Sequence, residues 1–365
     1  MATRILGHSA LMGSSRQAVE DFRLFDLAGG NGRKEVTLTQ EIASIWKEQS
    51  ESVARDYVRP RRSTEAAHKD TAPFVKIFNV GSHSKRKAGV GILAESDGLY
   101  VGDFVDDFAE GNGFCTFTDG RAYNGQFKAG KPNGTGTCTW PSGNKYVGGW
   151  VHGRKEGKGV YMFANGDVYT GEFRAGKIEG KGTIKELNGD TYVGNFVNNS
   201  REGNGIQTCA DGRVYDGSWK ANKQEGQGIH TDPNGEKYEG EWVSGLREGK
   251  GVQRFVDGSV YTGQWVNGLR EGKGVQTFAN GSVYTGHWKA ANRNGEGVAK
   301  YVDGQTYTGQ WKKDRKEGKG TYTWPNGDKY VGDFTGGEIE GNGTLTDRYG
   351  RVLREGKWKA GAPIF

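Results

Sequence analysis

Nine glutamates in this chain of 365 residues stand directly before a Gly-x-Gly tripeptide: Glu110, Glu156, Glu179, Glu202, Glu225, Glu248, Glu271, Glu317 and Glu340. Rows of carboxylates can do acid–base work, and the "EGKG" version of the motif carries the Gly-Lys pair of a phosphate-binding loop. Six histidines (His8, His68, His83, His152, His230, His287) and three cysteines (Cys115, Cys138, Cys209) add metal ligation and disulfide formation. Spacing argues against each chemistry. No Gly-Lys is followed by Ser or Thr at the spacing of a nucleotide-binding loop, so a tight strand entry accounts for these pairs. The histidines lack metal-ligand spacing, and no nucleophile elbow or zinc-protease motif is present. The chain is therefore expected to be no enzyme, with no catalytic, cofactor-binding or metal residues.

The elements that would position these residues explain the rows. Tyrosines fall at 100, 123, 146, 169, 192, 215, 238, 261, 284, 307 and 330, each step being 23 residues. A period of this size marks a repeat architecture. Four residues after each Tyr comes Phe or Trp, as in Phe104, Trp150 and Trp288. Glycine holds the third, twelfth and fourteenth positions, as in Gly263, Gly272 and Gly274. A truncated unit begins at Arg354, and residues 89–100 read as the second half of an earlier one.

Within one unit, "YTGQW" alternates large and small residues as a strand does, and "GKGVQTF" forms a second short strand. Between units lie Asn-Gly or Asp-Gly pairs such as Asn280-Gly281, which are strong hairpin signals. If that pair is a two-residue turn, Thr277 faces Tyr284, Val275 faces Gly286 and Lys273 faces Trp288. Val275 would then fill a slot left by Gly286 between the two aromatic rings. A lone hairpin is marginal in water, so each unit must bury its aromatics against its neighbours. The fold class expected is all-β: an elongated single-layer antiparallel meander of hairpins, with a partly helical N-terminal extension. Two strand spacings per unit make the array roughly 100–110 Å long.

The pattern Tyr-x-Gly-x-Trp followed by Glu-Gly-x-Gly, as in Tyr261 to Val283, resembles the MORN (membrane occupation and recognition nexus) repeat. The resemblance covers residues 89–358 and implies a twisted ribbon of hairpins that serves in protein binding or assembly. Residues 1–88 would be an N-terminal extension and 359–365 a C-terminal tail.

The same arithmetic explains the glutamates and cysteines. Equivalent residues in adjacent units lie roughly 9–10 Å apart in a sheet, too far for a retaining-type carboxylate pair. Each Glu is expected to accept a backbone N–H or meet a neighbouring Lys. Cys115 and Cys138 are likewise too distant for a disulfide, and three thiols fit a reducing compartment.

Aromatics make up 12% of the residues, which separates this polar, glycine-rich chain from disordered ones. The net charge of +6 divides evenly, +3 in residues 1–99 and +3 beyond, so no domain has the basic concentration of a nucleic-acid binder. No apolar run approaches the roughly 18–20 residues of a membrane-spanning helix. Residues 1–20, acid-free until Glu20 and carrying Arg4 and Arg16, fit either a tail or an organellar transit peptide.

Three features are candidate partner-binding sites. The eighteenth position reads Phe117, Trp140 and Phe163, then polar residues, then Phe255, Phe278, Tyr301 and Trp324. Placed on the face away from the aromatic ladder, these residues make either two contact patches or a self-packed surface. A basic row in the first loop (Lys155, Arg201, Arg247, Arg270, Arg293, Lys316) could meet acidic lipid or protein, but with Glu beside most members it reads better as solvated loop charge. Residues 38–58 place Ile42, Ile45, Trp46, Val53 and Tyr57 near one side of a docking helix, followed by the basic linker "RPRRS".

The function expected is a non-enzymatic scaffold holding other proteins of a large complex, with homo-oligomers also compatible. Family resemblance points to cytoskeletal or ciliary (axonemal) assemblies such as radial-spoke heads, in the cytoplasm, cytoskeleton or cilium. The alternatives are a membrane-surface adaptor for acidic phospholipids, or an accessory subunit of an enzyme complex in an organelle.

Overall fold

The computed structural model describes residues 89–364 other than 96–97 and 107. The helix expected over 38–58 and the basic linker after it lie outside the described residues. Among the described residues there is no helix, and 25 strands form one antiparallel sheet. Strands pair with their neighbours in sequence, so the sheet is an open meander from Gly89–Glu95 to Ala362–Pro363.

The repeat spanning 261–283 shows how the sequence dictates this. Strands Val260–Val266 and Leu269–Thr277 are joined by Asn267-Gly268, with φ of 49° and 80°. Two left-handed residues make the type I′ turn, whose twist matches that of the strands it joins. The second connection, to strand Val283–Lys289, has three residues rather than two. Phe278 donates its N–H to the Ser282 carbonyl at 2.8 Å and accepts the N–H of Gly281 at 2.9 Å. Gly281, at φ 86°, closes a type I turn with a left-handed residue.

The register is therefore one residue away from that of a two-residue Asn280-Gly281 turn. Gln276 lies opposite Tyr284, Val275 opposite Thr285, Gly274 opposite Gly286, and Gly272 opposite Trp288. Because side chains alternate with period two, this slip sends every side chain of the strand to the other face. Val275 does not fill a slot between the rings. It lies on the opposite face, 38% exposed.

The tyrosine ring itself occupies that slot. A Cβ on Gly286 would lie 2.4 Å from Tyr284 Oη, and one on its cross-strand partner Gly297 would lie 2.5 Å from Tyr284 Cε2. Tyr284 thus lies flat over a glycine pair, and its hydroxyl donates to the His287 carbonyl at 2.9 Å. Gly272 serves differently, since at φ 63° it forms the bulge where the register with the preceding strand shifts.

The core is a one-dimensional zipper on one face. Tyr284 meets Trp288 and Trp311 edge-on, both at 5.3 Å between centroids. The same alternation runs unbroken from the Tyr100–Phe104 pair to the Tyr330–Trp358 pair. Each such contact contributes about 0.5–1.5 kcal/mol beyond area burial. Bracketed this way, Tyr261, Tyr284 and Tyr307 are fully buried in a sheet only one layer thick.

Candidate partner-binding surfaces

The glutamate row is structural. All but Glu340 reach the next first-turn amide: Glu156 accepts from Ala175 N–H at 2.8 Å, Glu271 from Ala290 at 2.9 Å and Glu317 from Gly336 at 3.0 Å. The other edge has a matching device. Asn144 accepts from Ala164 N–H, Asp167 from Leu187 and Asp190 from Ala210. Successive turns are thereby tied together at both edges of the sheet.

The basic row is not in a loop. Because the first turn has only two residues, its members stand in strands opposite an aromatic of the same repeat: Lys155 opposite Trp150, Arg201 opposite Phe196, Arg247 opposite Trp242, Arg270 opposite Trp265, Arg293 opposite Trp288, and Lys316 opposite Trp311. All six are half-buried and fold over the zipper. The Arg270 guanidinium lies 4.3 Å above Trp288, and that of Arg293 lies 4.3 Å above Trp311. The reading of these residues as solvated charges neutralised by the adjacent Glu is thus overturned, since that Glu serves the next turn. Burial pulls Lys155, Arg247, Arg270 and Lys316 below their ordinary pKa ranges.

The aromatic blocks also change face. Phe117, Trp140, Phe163, Phe255, Phe278, Tyr301 and Trp324 are not on the side away from the ladder. The one-residue change of register puts them on the ladder's own side, where all seven pack half-buried against it. Some form further ring contacts, with Tyr161–Phe163 at 4.7 Å and Tyr322–Trp324 at 4.9 Å. In the polar centre of this row, Glu186 pairs with Arg201 at 2.6 Å, and Asp232 lies 3.8 Å from His230.

The opposite face carries the second, fourth, thirteenth and fifteenth positions, which sequence reasoning missed. It presents Thr, Val, Gln and Lys side chains and forms shallow troughs. One of about 470 Å³ is lined by Thr262, Lys273, Val275, Thr285, His287 and Val298. Another of about 740 Å³ is lined by Lys319, Thr321, Val331, Asn342, Thr344 and Glu355. The β-branched residues recurring at the second and fifteenth positions were the available signal.

Among the described residues, no group of three or more His, Cys, Asp or Glu side chains is placed to hold a metal. No helix among them is long and apolar enough to cross a membrane. None of Cys115, Cys138 and Cys209 is in a disulfide, and burial pushes the Cys138 thiol up to about 11.

A single-layer meander with a Tyr–Trp zipper, glycines under the tyrosines and a capping cation defines a hairpin-repeat protein. The chain belongs to the MORN repeat family, whose model matches residues 100–120, 123–145, 146–168, 169–185, 192–212, 215–237, 238–260, 261–283, 284–306, 307–329 and 330–348. MORN repeats indicate a protein-interaction or scaffold module. No curated protein matches the chain. Among solved structures it is similar to the TCP domain of Drosophila melanogaster SAS-4 (dCPAP), in complex with a proline-rich motif of Ana2 (dSTIL). That likeness has 17% identity over 42% of this chain and 85% of that one, with a TM-score of 0.28. It is also similar to the TCP10 domain of Danio rerio CPAP, in complex with a STIL peptide, at 15% identity over 68% of this chain and 96% of that one, with a TM-score of 0.20. Scores this low do not bear on function.

Proposed function

We propose that the protein is a non-enzymatic scaffold holding other proteins at set separations in a cytoskeletal or ciliary assembly, axonemal structures being the leading case. On this reading it resides in the cytoplasm, cytoskeleton or cilium, and residues 1–88 and 359–365 flank the array. The observation that carries the reading is the unbroken zipper. It consumes the large apolar side chains on one face, ties each repeat to the next, and leaves shallow troughs on the other. The membrane-adaptor reading loses its main support, because the cations of the candidate basic row lie over rings rather than projecting into solvent.

Affinity purification of the tagged full chain from ciliated cells, at low and moderate salt, tests this. Recovery of one set of cytoskeletal proteins at both salts is expected. Recovery chiefly with lipid vesicles, lost as salt rises, would overturn the reading in favour of a membrane surface.

A further inference from the structure

Two of the six cations differ from the other four in what their charged group meets. Arg201 donates to Glu186 at 2.6 Å, Arg247 to Gln253 at 2.6 Å, Arg270 to Gln276 at 2.9 Å and Arg293 to Asp314 at 3.1 Å. Lys155 and Lys316 have no side-chain hydrogen bond or ion pair among the described residues. Six residues after the cation, where Gln253 and Gln276 supply an acceptor, these two repeats have Tyr161 and Tyr322.

Each ammonium sits instead in a cage of four rings. The Lys155 nitrogen is 4.3 Å from the centroid of Tyr161 and 5.2 Å from Phe173, with Tyr146 at 5.7 Å and Trp140 at 5.8 Å. The Lys316 nitrogen is 4.3 Å from Tyr322, 5.5 Å from Tyr307, 5.9 Å from Tyr301 and 6.0 Å from Phe334. The same arrangement is built twice, seven repeats apart.

We propose that the two cages are docking sites for acidic segments of a partner protein in which an aromatic residue neighbours a carboxylate. Lys155 or Lys316 receives the carboxylate, while Trp140 and Tyr161, or Tyr301 and Tyr322, receive the ring. The proposal deepens the scaffold reading and rests on it. Ring faces attract an ammonium but supply no counter-charge and accept no strong hydrogen bond. A half-buried cation in that state gains charge-assisted bonds when a carboxylate arrives. A lipid surface would offer the same anionic chemistry, but it would be met best by a continuous basic row. Here four of six positions satisfy themselves internally, and the two that do not are about 65–70 Å apart along the sheet.

The test uses the full chain and two labelled synthetic peptides with equal numbers of carboxylates, one alternating Glu and Tyr and one of Glu alone. Binding is read by fluorescence polarisation, and lysine environments by NMR after ¹³C-dimethylation. The alternating peptide is expected to bind more tightly and to shift the Lys155 and Lys316 signals saturably. The exchange K155R/Y161Q with K316R/Y322Q installs the Arg–Gln pair found at Arg247 and Gln253, and should lower affinity at least ~10-fold while circular dichroism shows the sheet retained. Should that variant not fold, Lys155→Met with Lys316→Met keeps the side-chain stems and must show the same loss. Equal binding of the two peptides, no binding of either, affinity unmoved by the exchange, or binding only to phosphatidylserine vesicles would each overturn the proposal. Partner capture that survives the exchange leaves the scaffold standing while the cages fall.

Discussion

The two faces of this sheet are made by the same strands, yet only one holds a core. The zipper face is dominated by rings, glycines beneath them and, in six repeats, a cation above them. On the other face, Val193 and Val331 are more than half exposed. A sheet usually hides its apolar face against a second layer. Here the rings lie along their own strands, with glycines lowering the floor beneath them, so the face is covered without another layer. The cost is that each tyrosine depends on a bracketing aromatic from the next repeat.

Alkaline pH should break the difference between the faces most completely. Burial pushes the phenols of Tyr146, Tyr169, Tyr192, Tyr238, Tyr261 and Tyr284 up to about 12. The unfolded phenol titrates near pH 10, so between these values the folded state binds more protons. The stability from keeping the ladder neutral is complete below about pH 10 and falls as pH rises towards about 12. Near-UV circular dichroism should collapse in that window together with the appearance of tyrosinate absorbance. Tyrosinate forming while the dichroism persists would show that the ladder is not closed to water.

Gly286→Ala comes next in size. Its Cβ would overlap Tyr284 and the Gly297 backbone, lifting the ring at a cost of about 2–3 kcal/mol. Hydrogen exchange should quicken around repeats 261–306 before it does elsewhere. A smaller effect of opposite sign is expected at the turns. Ala290 and Ala291 sit at φ 47° and 65°, so Ala291→Gly should stabilise by about 1 kcal/mol and raise Tm. Val275→Ser, on the open face, should change stability by less than about 0.5 kcal/mol. A larger loss there would mean that face carries part of the core.

Much of this was legible in the residues. The tyrosine spacing, the paired glycines and the Asn-Gly signals determine hairpins in series, and the expected role of Glu271 as an acceptor of backbone N–H is met at Ala290. What was misread is the register, by a single residue. Asn-Gly suits a two-residue turn, but only Gly281 of that pair is left-handed, and the bond from Phe278 to Ser282 adds a third residue to the loop. The true two-residue turn is Asn267-Gly268, and its shortness is what moves Arg270 from a loop onto the rings. Both misplacements, of the aromatic blocks and of the basic row, follow from choosing the wrong one of two competent turns. The cages had a sequence signal that went unread: Tyr six residues after Lys, where Arg201, Arg247 and Arg270 have Gln six residues on.

By itself the sequence determined the repeat, its length, its strands and the need for neighbours, because period and turn chemistry are local properties of the chain. Which face each side chain occupies was decided only by the tertiary structure. Two turns of different length must be reconciled with one bulge per repeat, and only the assembled hydrogen-bond ladder shows where the odd residue goes.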